Sequence, residues 1–468
     1  MSKLRWAAAL SAVAASAAVA GCGGSSSDDS GSKDSAGGIR GQTVTVWSYE
    51  GQPDRIAALQ ADLRDFTAKT GVKTKVVAIP DGQLSTLITN AAAAGKLPDV
   101  VAAVPAADTL NYAKQGVFDP SAAQDVVDKL GADTFSKKAI QLVSTDGKVA
   151  GVPSDGWGQL LIYRKDLFEQ AGLSAPKTLE DVQADAAKLN KPGMAGITLA
   201  TKPGDEFTAE SFEAVALAAG CQLVDGSGNV TLDSPACVNA FKYYANLAQS
   251  YSVKGNQDVD STRGTYFAGR AAMIMWSPFL LDGMAGLRKD TRPSCPQCKN
   301  DRSFLAKNSG LVGPLGSAGH PPAQFGQVST FSITTKAKKA ASEALVEYLM
   351  SDGYARWLAL SPQGKYPVRL GDKAQPDKYQ KAWAQLDSGV DVKAPLSKYY
   401  DKASIASLGE GIEQFTRWAF PQGQGALLGA LSGDQPVAKA VAAAVNGTDP
   451  AQAAKQAQSA VEQIKSGL

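Results

Sequence analysis

The chain has 468 residues, a length that predicts about two or three domains rather than one small core. With 44% hydrophobic and 20% charged residues, the composition is that of a soluble globular protein and excludes a disordered chain or a polytopic membrane protein. The 47 Lys and Arg exceed the 45 Asp and Glu only through Lys3 and Arg5. The rest of the chain is formally neutral, so neither nucleic acid nor a general attraction to anionic membrane is expected.

The first 21 residues have the pattern of a secretory signal peptide. Lys3 and Arg5 form a basic start, and residues 6–20 form an apolar stretch that is short for a membrane span. Residues 19–22 read VAGC, which resembles the lipobox of bacterial lipoproteins, where the cysteine becomes the acylated first residue. We therefore predict a signal peptide at residues 1-21 and lipidation of Cys22; the alternative is a cysteine that merely follows an alanine-rich leader.

Residues 22-39 are mainly Gly, Ser, Asp and Lys, with too few aliphatic side chains to bury apolar surface. We expect them to form a flexible tether between Cys22 and a folded body that begins near residue 40. The protein is then predicted to be extracytoplasmic and held at the outer face of the bacterial cell membrane by its lipid anchor only.

Four further cysteines allow three disulfide pairings: Cys221, Cys237, Cys295 and Cys298. Local pairing of the first two and of the last two is favoured in the oxidising space outside the cytoplasm. A zinc site or a redox pair at the CPQC segment is the alternative. Zinc needs four N or S ligands, the chain has one histidine, His320, and the segment is predicted to be a loop. We expect no metal and no cofactor.

Hydrophobic periodicity predicts an alternation of strands and helices. A βαβαβ series is predicted first, with strands at 43–47, 73–79 and 99–104 and helices at 55–70 and 84–94. A second series follows residue 152, with strands at 158–163 and 196–200 and helices at 178–189, 210–219 and 236–250. Residues 436–468 predict two Ala-rich helices broken at Asn446-Gly447. No phosphate-binding glycine motif follows a predicted strand, so a nucleotide is not expected.

Three segments resemble a known family: residues 146–153 (DGKVAGVP), 161–173 (LIYRKDLFEQAGL) and 176–182 (PKTLEDV). They are similar to the signature of the family 1 extracellular solute-binding proteins of ATP-binding-cassette importers, a maltose-binding-protein-like group. Further matching pieces follow in the same order: residues 96–100, 267–273, 313–316, 343–352 and 364–368. The resemblance covers about residues 41 to 465, and the Arg292 to Asn300 segment departs from it.

The resemblance implies an α/β fold of two discontinuous lobes with a ligand cleft between them, of the periplasmic-binding-protein type II. The chain would cross between the lobes near Val152-Pro153, Val312-Pro314 and Leu360-Gly364. Lobe 1 would contain residues 40-153 and 313-362, and lobe 2 residues 154-312 and 363-468. Crossings of this kind form hinges; ordinary surface turns are the alternative for each.

Sugars present an apolar face and a rim of hydroxyls, so a sugar site needs flat rings and paired carboxylates or amides. We look for them at the ends of strands and at the crossings. The candidates are Trp47, Tyr49, Glu50, Asp81, Asp155, Trp157, Trp276, Phe279, Tyr366 and Arg369.

Each candidate has a structural alternative. The aromatic side chains could pack in a core, Asp81 could cap the helix that begins near Leu84, and Arg369 could pair with a carboxylate of its own lobe. Trp357 and Trp418 lie in helical patterns and are predicted to be core residues, whereas Trp383 is left undecided.

The predicted function is capture of a mono- or oligosaccharide by lobe closure and its delivery to the membrane permease of an ABC importer, without catalysis. The acidic candidates would repel an anionic ligand, which favours a neutral sugar. The alternatives are a secreted carbohydrate-active enzyme, a binding protein for a solute such as glycerol phosphate, and a sensor or adhesin. Ser-His-Asp catalysis is excluded because it would depend on His320 in a Gly-Pro loop. A monomer is expected.

Overall fold

The computed structural model describes residues 38–80 and 82–468. Its strands are β1 Thr43–Ser48, β2 Lys73–Ala78, β3 Val100–Pro105, β4 Ser144–Thr145, β5 Lys148–Val149, β6 Val152–Gly158, β7 Leu160–Arg164, β8 Ala195–Thr198, β9 Ala271–Trp276, β10 Ser309–Val312, β11 Leu315–Ser317, β12 His320–Ile333, β13 Tyr366–Pro367, β14 Asp387–Ser388, β15 Ala394–Pro395 and β16 Phe415–Thr416.

Its α-helices are α1 Pro53–Thr70, α2 Leu84–Ala93, α3 Ala106–Lys114, α4 Pro120–Leu130, α5 Lys137–Leu142, α6 Lys165–Gln170, α7 Leu179–Leu189, α8 Glu206–Ala218, α9 Pro235–Tyr251, α10 Val259–Phe267, α11 Leu281–Met284, α12 Phe304–Lys307, α13 Lys339–Leu349, α14 Tyr354–Leu358, α15 Lys378–Trp383, α16 Lys402–Glu410, α17 Gly425–Ala430, α18 Pro436–Val445 and α19 Pro450–Lys465.

The larger sheet has the strand order β13-β6-β12-β3-β1-β2, with β11 and β16 also paired to β12. β1 is parallel to β2 and β3, which confirms the βαβαβ series predicted from residues 43 to 104. β3 is apolar and buried along its whole length, as expected for a strand covered on both faces. The long strand β12 runs antiparallel to β3 and β6 and joins the two halves of this sheet.

The smaller sheet has the order β10-β7-β9-β8, and helices α7, α8, α9, α18 and α19 contribute to the core beside it. The Ala-rich C-terminal segment forms α18 and α19, which confirms the two predicted helices. Gly447 follows α18 with a φ of 103°, and the Asp449 side chain accepts the first free N–H groups of α19. Small alanine side chains let these two helices pack closely on α9.

The chain passes between the two sheets at two neighbouring places. Gln159 connects Gly158 at the end of β6 to β7, and Gly313 and Pro314 connect β10 to β11. A Cβ atom at Gly158 would lie 2.7 Å from the Gln324 side chain, and one at Gly313 would lie 3.0 Å from it. Both passages therefore pack against the side-chain amide of Gln324.

Two of the predicted crossings differ from the structure. Val152 and Pro153 lie inside β6, where Pro153 is opposite Thr330 at a register shift of β12. The shift tolerates a residue without an N–H, so the strand continues past the proline. Residues 360–364 lead into β13, which pairs with β6 of the larger sheet rather than entering the smaller one.

The four cysteines are joined locally, Cys221 to Cys237 and Cys295 to Cys298, as the preferred pairing predicted. All four are buried. A Cβ atom at Gly269 would lie 2.9 Å from the Cys295 Cβ, so the CPQC segment packs tightly against the end of α10. The disulfide of this segment therefore has a structural role.

Within residues 38–80 and 82–468, no helix combines the length and the apolar character that a membrane span requires. In the same part of the chain, no group of three or more His, Cys, Asp or Glu is arranged to hold a metal ion. The predicted signal peptide, Cys22 and most of the tether lie outside the described residues, and so does Asp81.

Candidate ligand-binding cleft

A cleft of about 840 Å³ lies where the ends of strands from both sheets meet α8 and α10. Tyr49 and Glu50 enter it directly after β1, Trp157 enters it from β6, and Trp276 enters it from the end of β9. This position agrees with the rule that open α/β sheets bind ligands beyond their strand ends. The volume is large enough for a sugar of more than one ring.

Aromatic rings form much of the lining. The Trp276 and Phe207 rings lie 4.5 Å apart between centroids, and the Trp157 and Phe279 rings meet edge to face at 6.1 Å. Tyr49 adds a fifth ring and donates its hydroxyl proton to Glu206 Oε2 at 3.1 Å. Flat apolar faces with a hydroxyl at the edge can stack on sugar rings.

A buried charge network supports one wall of the cleft, which Glu50 and Arg55 line and which Lys365 holds from behind. Lys365 is 0% exposed, and its Nζ lies 2.5 Å from Glu50 Oε1 and 3.2 Å from Asp155 Oδ1. Arg55 binds the other oxygen of Glu50, and the Trp357 indole N–H donates to Asp155 Oδ2 at 2.8 Å. The two carboxylates and two cations compensate each other, which is the condition under which buried charges are tolerated.

This network determines the protonation state of Glu50 and its role in the cleft. Burial acts to raise the pKa of Glu50, but Lys365 and Arg55 outweigh it and lower the pKa to about 2. Both carboxylate oxygens are bound by cations, so Glu50 lines the cleft mainly as a positioning residue for Arg55. The Arg55 guanidinium lies 5.2 Å from the centre of the Phe279 ring.

The inner end of the cleft is acidic. Glu206, Glu210 and Glu213 lie at helical spacing on one face of α8, and Asp108 of α3 lines the same region. A cavity of about 50 Å³ lies among them and is also lined by Arg417.

Arg417 is held by Glu213 and by an aromatic ring. Its Nε and Nη2 donate to Glu213 Oε1 and Oε2 at 2.8 and 3.1 Å. The guanidinium lies 4.2 Å from the centre of the Phe325 ring and also donates to Gln327 Oε1. Both oxygens of Glu213 are thus engaged by this one arginine.

Burial makes the remaining acidic charges unfavourable. It raises the pKa of Asp108 to about 7, with a further contribution from Glu206 and opposition from the Ser432 hydroxyl and Arg417. Burial and then Glu206 also raise the pKa of Glu210 well above its ordinary value, although Arg417 opposes this. Near neutral pH, part of this cluster therefore holds protons rather than negative charge.

Several polar atoms around the cleft have no hydrogen-bond partner among the described residues. They are both side-chain amide atoms of Gln159, Gln52 Oε1 and Arg55 Nε. Gln159 is 3% exposed, so its side chain is almost completely removed from water. Unsatisfied donors and acceptors of this kind fit ligand hydroxyls.

Ala103 in β3 also lines the cleft and has a φ of 63°, a strained conformation for alanine that is typical of functional sites.

The charges at the rim are joined in pairs. The pairs are Lys202 with Asp205 and Asp258, Arg263 with Asp260, and Arg288 with Asp282 and Asp290. Burial raises the pKa of Asp282, and the neighbouring Arg288 opposes this. Three cations therefore bind five carboxylates, so each of these carboxylates has a cationic partner while the carboxylates outnumber the cations by two.

The structure brings together five of the candidates that were predicted from sequence: Tyr49, Glu50, Trp157, Trp276 and Phe279. Asp81 is not among the described residues. Trp47, Asp155, Tyr366 and Arg369 are not among the residues that line the cleft.

Physical reasons explain these four positions. Trp47 packs against the apolar cluster around Ile79 and Leu84, and Asp155 points into the Lys365 network. The Tyr366 ring contacts the Trp383 ring at 4.8 Å between centroids. Arg369 donates to main-chain carbonyls of Leu130 and Met350 and to Thr134 Oγ1, so its charge serves the packing of the larger lobe.

The predicted core assignments of Trp357 and Trp418 are confirmed, since both are buried. Trp383, which the sequence left undecided, is also buried and donates its indole N–H to the Pro362 carbonyl at 2.8 Å. The sequence reasoning missed Gln159, Phe207, Glu210 and Arg417 as cleft residues. A usable signal existed for α8, because its acidic first turn follows the connection at residues 199–205 after β8, and strand ends were already the expected place for ligand contacts.

Comparison with known proteins identifies the class. The pattern of the family described as bacterial extracellular solute-binding protein matches residues 50–356, and the chain belongs to this family. Its members are binding proteins that act outside the cytoplasm, as predicted from the resemblance.

The chain is 27% identical to the putative ABC transporter periplasmic-binding protein YcjN of Escherichia coli over 64% of this chain and 66% of that protein, just under two thirds of its length. It is also 27% identical to the diacetylchitobiose binding protein DasA of Streptomyces coelicolor, over 73% of this chain and 76% of that protein. Among solved structures, the GacH receptor of Streptomyces glaucescens superimposes with a TM-score of 0.69 at 21% identity, covering 90% of this chain and 98% of that one. The two-lobed α/β fold of the solute-binding proteins is thereby confirmed.

Replacement of Lys365 by methionine tests the buried network. The Lys365→Met variant keeps the length of the side chain but leaves Glu50 and Asp155 with one cation between them, so we expect the free energy of unfolding to fall by about 3 to 5 kcal/mol in urea titrations. Lys378→Met, which removes an exposed pair with Asp372, is the control and should cause a much smaller loss. Equal losses in both variants would contradict a buried compensating role.

Asp108→Asn tests the acidic end through its pH dependence. Because the folded pKa is raised to about 7 from 3.8, Asp108 makes the protein less stable as pH rises between these values. Asn cannot ionise and still accepts the Ser432 hydroxyl, so its advantage over wild type should grow from near zero at pH ~4 to about 2 to 4 kcal/mol at pH ~8. Thermal and urea unfolding across this range measure it, with exposed Asp133→Asn as the control. A difference independent of pH would refute the assignment.

Proposed function

We propose that this protein captures a sugar, a mono- or oligosaccharide, outside the cytoplasm and delivers it to an ABC importer. The observation that carries the proposal is a cleft that combines clustered aromatic rings with buried polar atoms that have no partner among the described residues, above all Trp157, Trp276 and Gln159. Rings suit the apolar face of a sugar, and unpaired amide atoms suit its hydroxyls. The relative DasA, whose name states that it binds diacetylchitobiose, supports the same class of ligand.

Capture would occur by closure of two lobes, one around each sheet. The larger sheet contributes Tyr49 and Trp157 to the cleft and the smaller sheet contributes Trp276, so a ligand that touches all three favours the closed form. The hinge would be formed by Gln159 and by Gly313-Pro314. Gly313-Pro314 falls within the crossing predicted near Val312-Pro314, whereas Gln159 replaces the one predicted at residues 152–153. The C-terminal helices α18 and α19 would move with the smaller sheet, against which they pack through α9.

The ligand is released unchanged in this proposal. Glu50 has both carboxylate oxygens bound by cations, so it is poorly suited to act as a nucleophile or general acid on a glycosidic bond. The acidic inner end also disfavours an anionic solute such as glycerol phosphate. Incubation of an oligosaccharide that binds, followed by mass spectrometry, should return it intact; hydrolysis would favour the secreted enzyme instead.

A thermal-shift screen tests the ligand class and Trp276 tests the cleft. Carbohydrates should raise the melting temperature, whereas polyols, amino acids and organophosphates serve as controls. For a sugar that binds, Trp276→Leu should weaken affinity by about tenfold or more because it removes a stacking ring. Trp47→Leu is the matched control, since Trp47 packs away from the cleft. The sugar assignment fails if only a phosphate ester stabilises the protein, and the cleft assignment fails if both variants bind like wild type.

We also propose that the protein is a monomer held at the membrane by a lipid on Cys22. The VAGC sequence and the polar segment that follows it support this anchor. Expressed in a bacterium with its full leader, the wild type should fractionate with membranes and be extracted by detergent. Cys22→Ser should appear in the soluble extracytoplasmic fraction, and Cys295→Ser, which changes a buried cysteine of the folded body, should not. Membrane retention of the Cys22→Ser variant would disprove lipidation at this position.

A further inference from the structure

The inner end of the cleft differs in charge from the rest of it. Around the rim and along the Lys365 wall, each lining carboxylate has a cation within salt-bridge distance. At the inner end, four carboxylates line the region together with a single guanidinium, that of Arg417. Glu213 binds that guanidinium through both oxygens. Among the described residues, no cation lies within salt-bridge distance of Glu210.

Two of these four carboxylates line the large cleft itself. Glu206 and Glu210 are one helical turn apart at the start of α8, and both line the large cleft as well as the small cavity behind it. Asp108 approaches from α3 of the larger sheet, and its carboxylate accepts the Ser432 hydroxyl at 2.7 Å. Glu210 and Asp108 are thus provided by elements of the two different lobes.

A second observation, independent of the acidic residues, points to a ligand at the same place. Trp157 lies near the end of β6 and Gln159 follows that strand directly, and both residues line the cleft. The Gln159 main-chain N–H donates to the Phe325 carbonyl at 3.0 Å. The ring of the same Phe325 packs against the Arg417 guanidinium. Gln159 is therefore tied to the acidic end, yet both atoms of its buried amide lack a partner among the described residues.

We infer that the inner end of the cleft, between Glu210 and Gln159, binds a protonated amine of the ligand, so that the transported sugar is an amine-bearing saccharide. This inference rests on the proposed function, because it assumes that the cleft holds a sugar. An ammonium group supplies the positive charge that Glu210 lacks and donates charge-assisted hydrogen bonds to it. The Gln159 carbonyl oxygen accepts a further ammonium proton, and its NH₂ group donates to a neighbouring hydroxyl.

The protonation behaviour of the acidic cluster agrees with this assignment. Burial raises the pKa of Glu210 and of Asp108, so without a ligand cation these groups keep protons that an ammonium ion would displace. A neutral sugar carries no positive charge with which to displace those protons, and an anionic sugar is repelled.

Matched sugars and a single isosteric variant test the inference. Isothermal titration compares sugars that differ in the amine. Glucosamine is compared with glucose, galactosamine with galactose, and chitobiose separately with diacetylchitobiose and with cellobiose. At a pH where the amines are protonated, we expect the wild type to bind the amine member of a pair about tenfold more tightly or better. Glu210→Gln should remove that preference, so that the ratio of the affinities for the amine and neutral members, measured in the same variant, falls to about one.

The variant is expected to fold, because Gln resembles the protonated form that burial already favours at Glu210. Its melting temperature checks this, and Glu169→Gln on α6, an exposed position, is the control that should retain the preference. Neutral sugars that bind as well as their amine partners, or an amine preference that survives Glu210→Gln, would overturn this inference and leave the proposed function intact. Failure of every carbohydrate to bind would instead overturn the proposed function, and with it this inference.

Discussion

The ammonium group of Lys365 is shielded from water and lies between the carboxylates of Glu50 and Asp155. Burial of any one of these charges alone would be strongly unfavourable, so the segments that carry them must come together at the same time. These segments are the turn after β1, strand β6 and the residues before β13. The contact between these segments sets the direction in which Tyr49 enters the cleft after β1. The same contact holds Arg55 beside Phe279. Much of the binding surface therefore depends on an ion network that a ligand need not touch.

The three parts of the cleft have different physical characters. The wall at Glu50 is charged but compensated, the aromatic lining is apolar, and the end of α8 carries acidic groups whose pKa values are raised by burial. A ligand that fills such a cleft would be selected by shape along the rings and by charge at the end of α8. If that end binds an amine as inferred, one site would combine ring contacts with discrimination between ligands of different charge.

The first βαβαβ series and the two C-terminal helices followed from periodicity, whereas the long strand β12 was not predicted. The aromatic residues Trp157 and Trp276 could be placed because they lie at or next to strand ends. The charged residues could not be assigned in the same way. Asp155 and Arg369 lie near predicted crossings, but whether such a residue faces the cleft or the core is decided by partners far along the chain. For Asp155 that partner is Lys365, 210 residues away. Likewise, Glu213 meets Arg417 across 204 residues, a distance over which local sequence patterns carry no information about contact.

The close packing of both chain passages against Gln324 has a mechanical meaning. If the two lobes close on a ligand as proposed, two connections that leave one sheet side by side would favour rotation about a shared axis over sliding. Such a rotation would return the two sides of the cleft to the same register after each opening. The closed shape would then depend on the connectivity of the fold more than on the ligand.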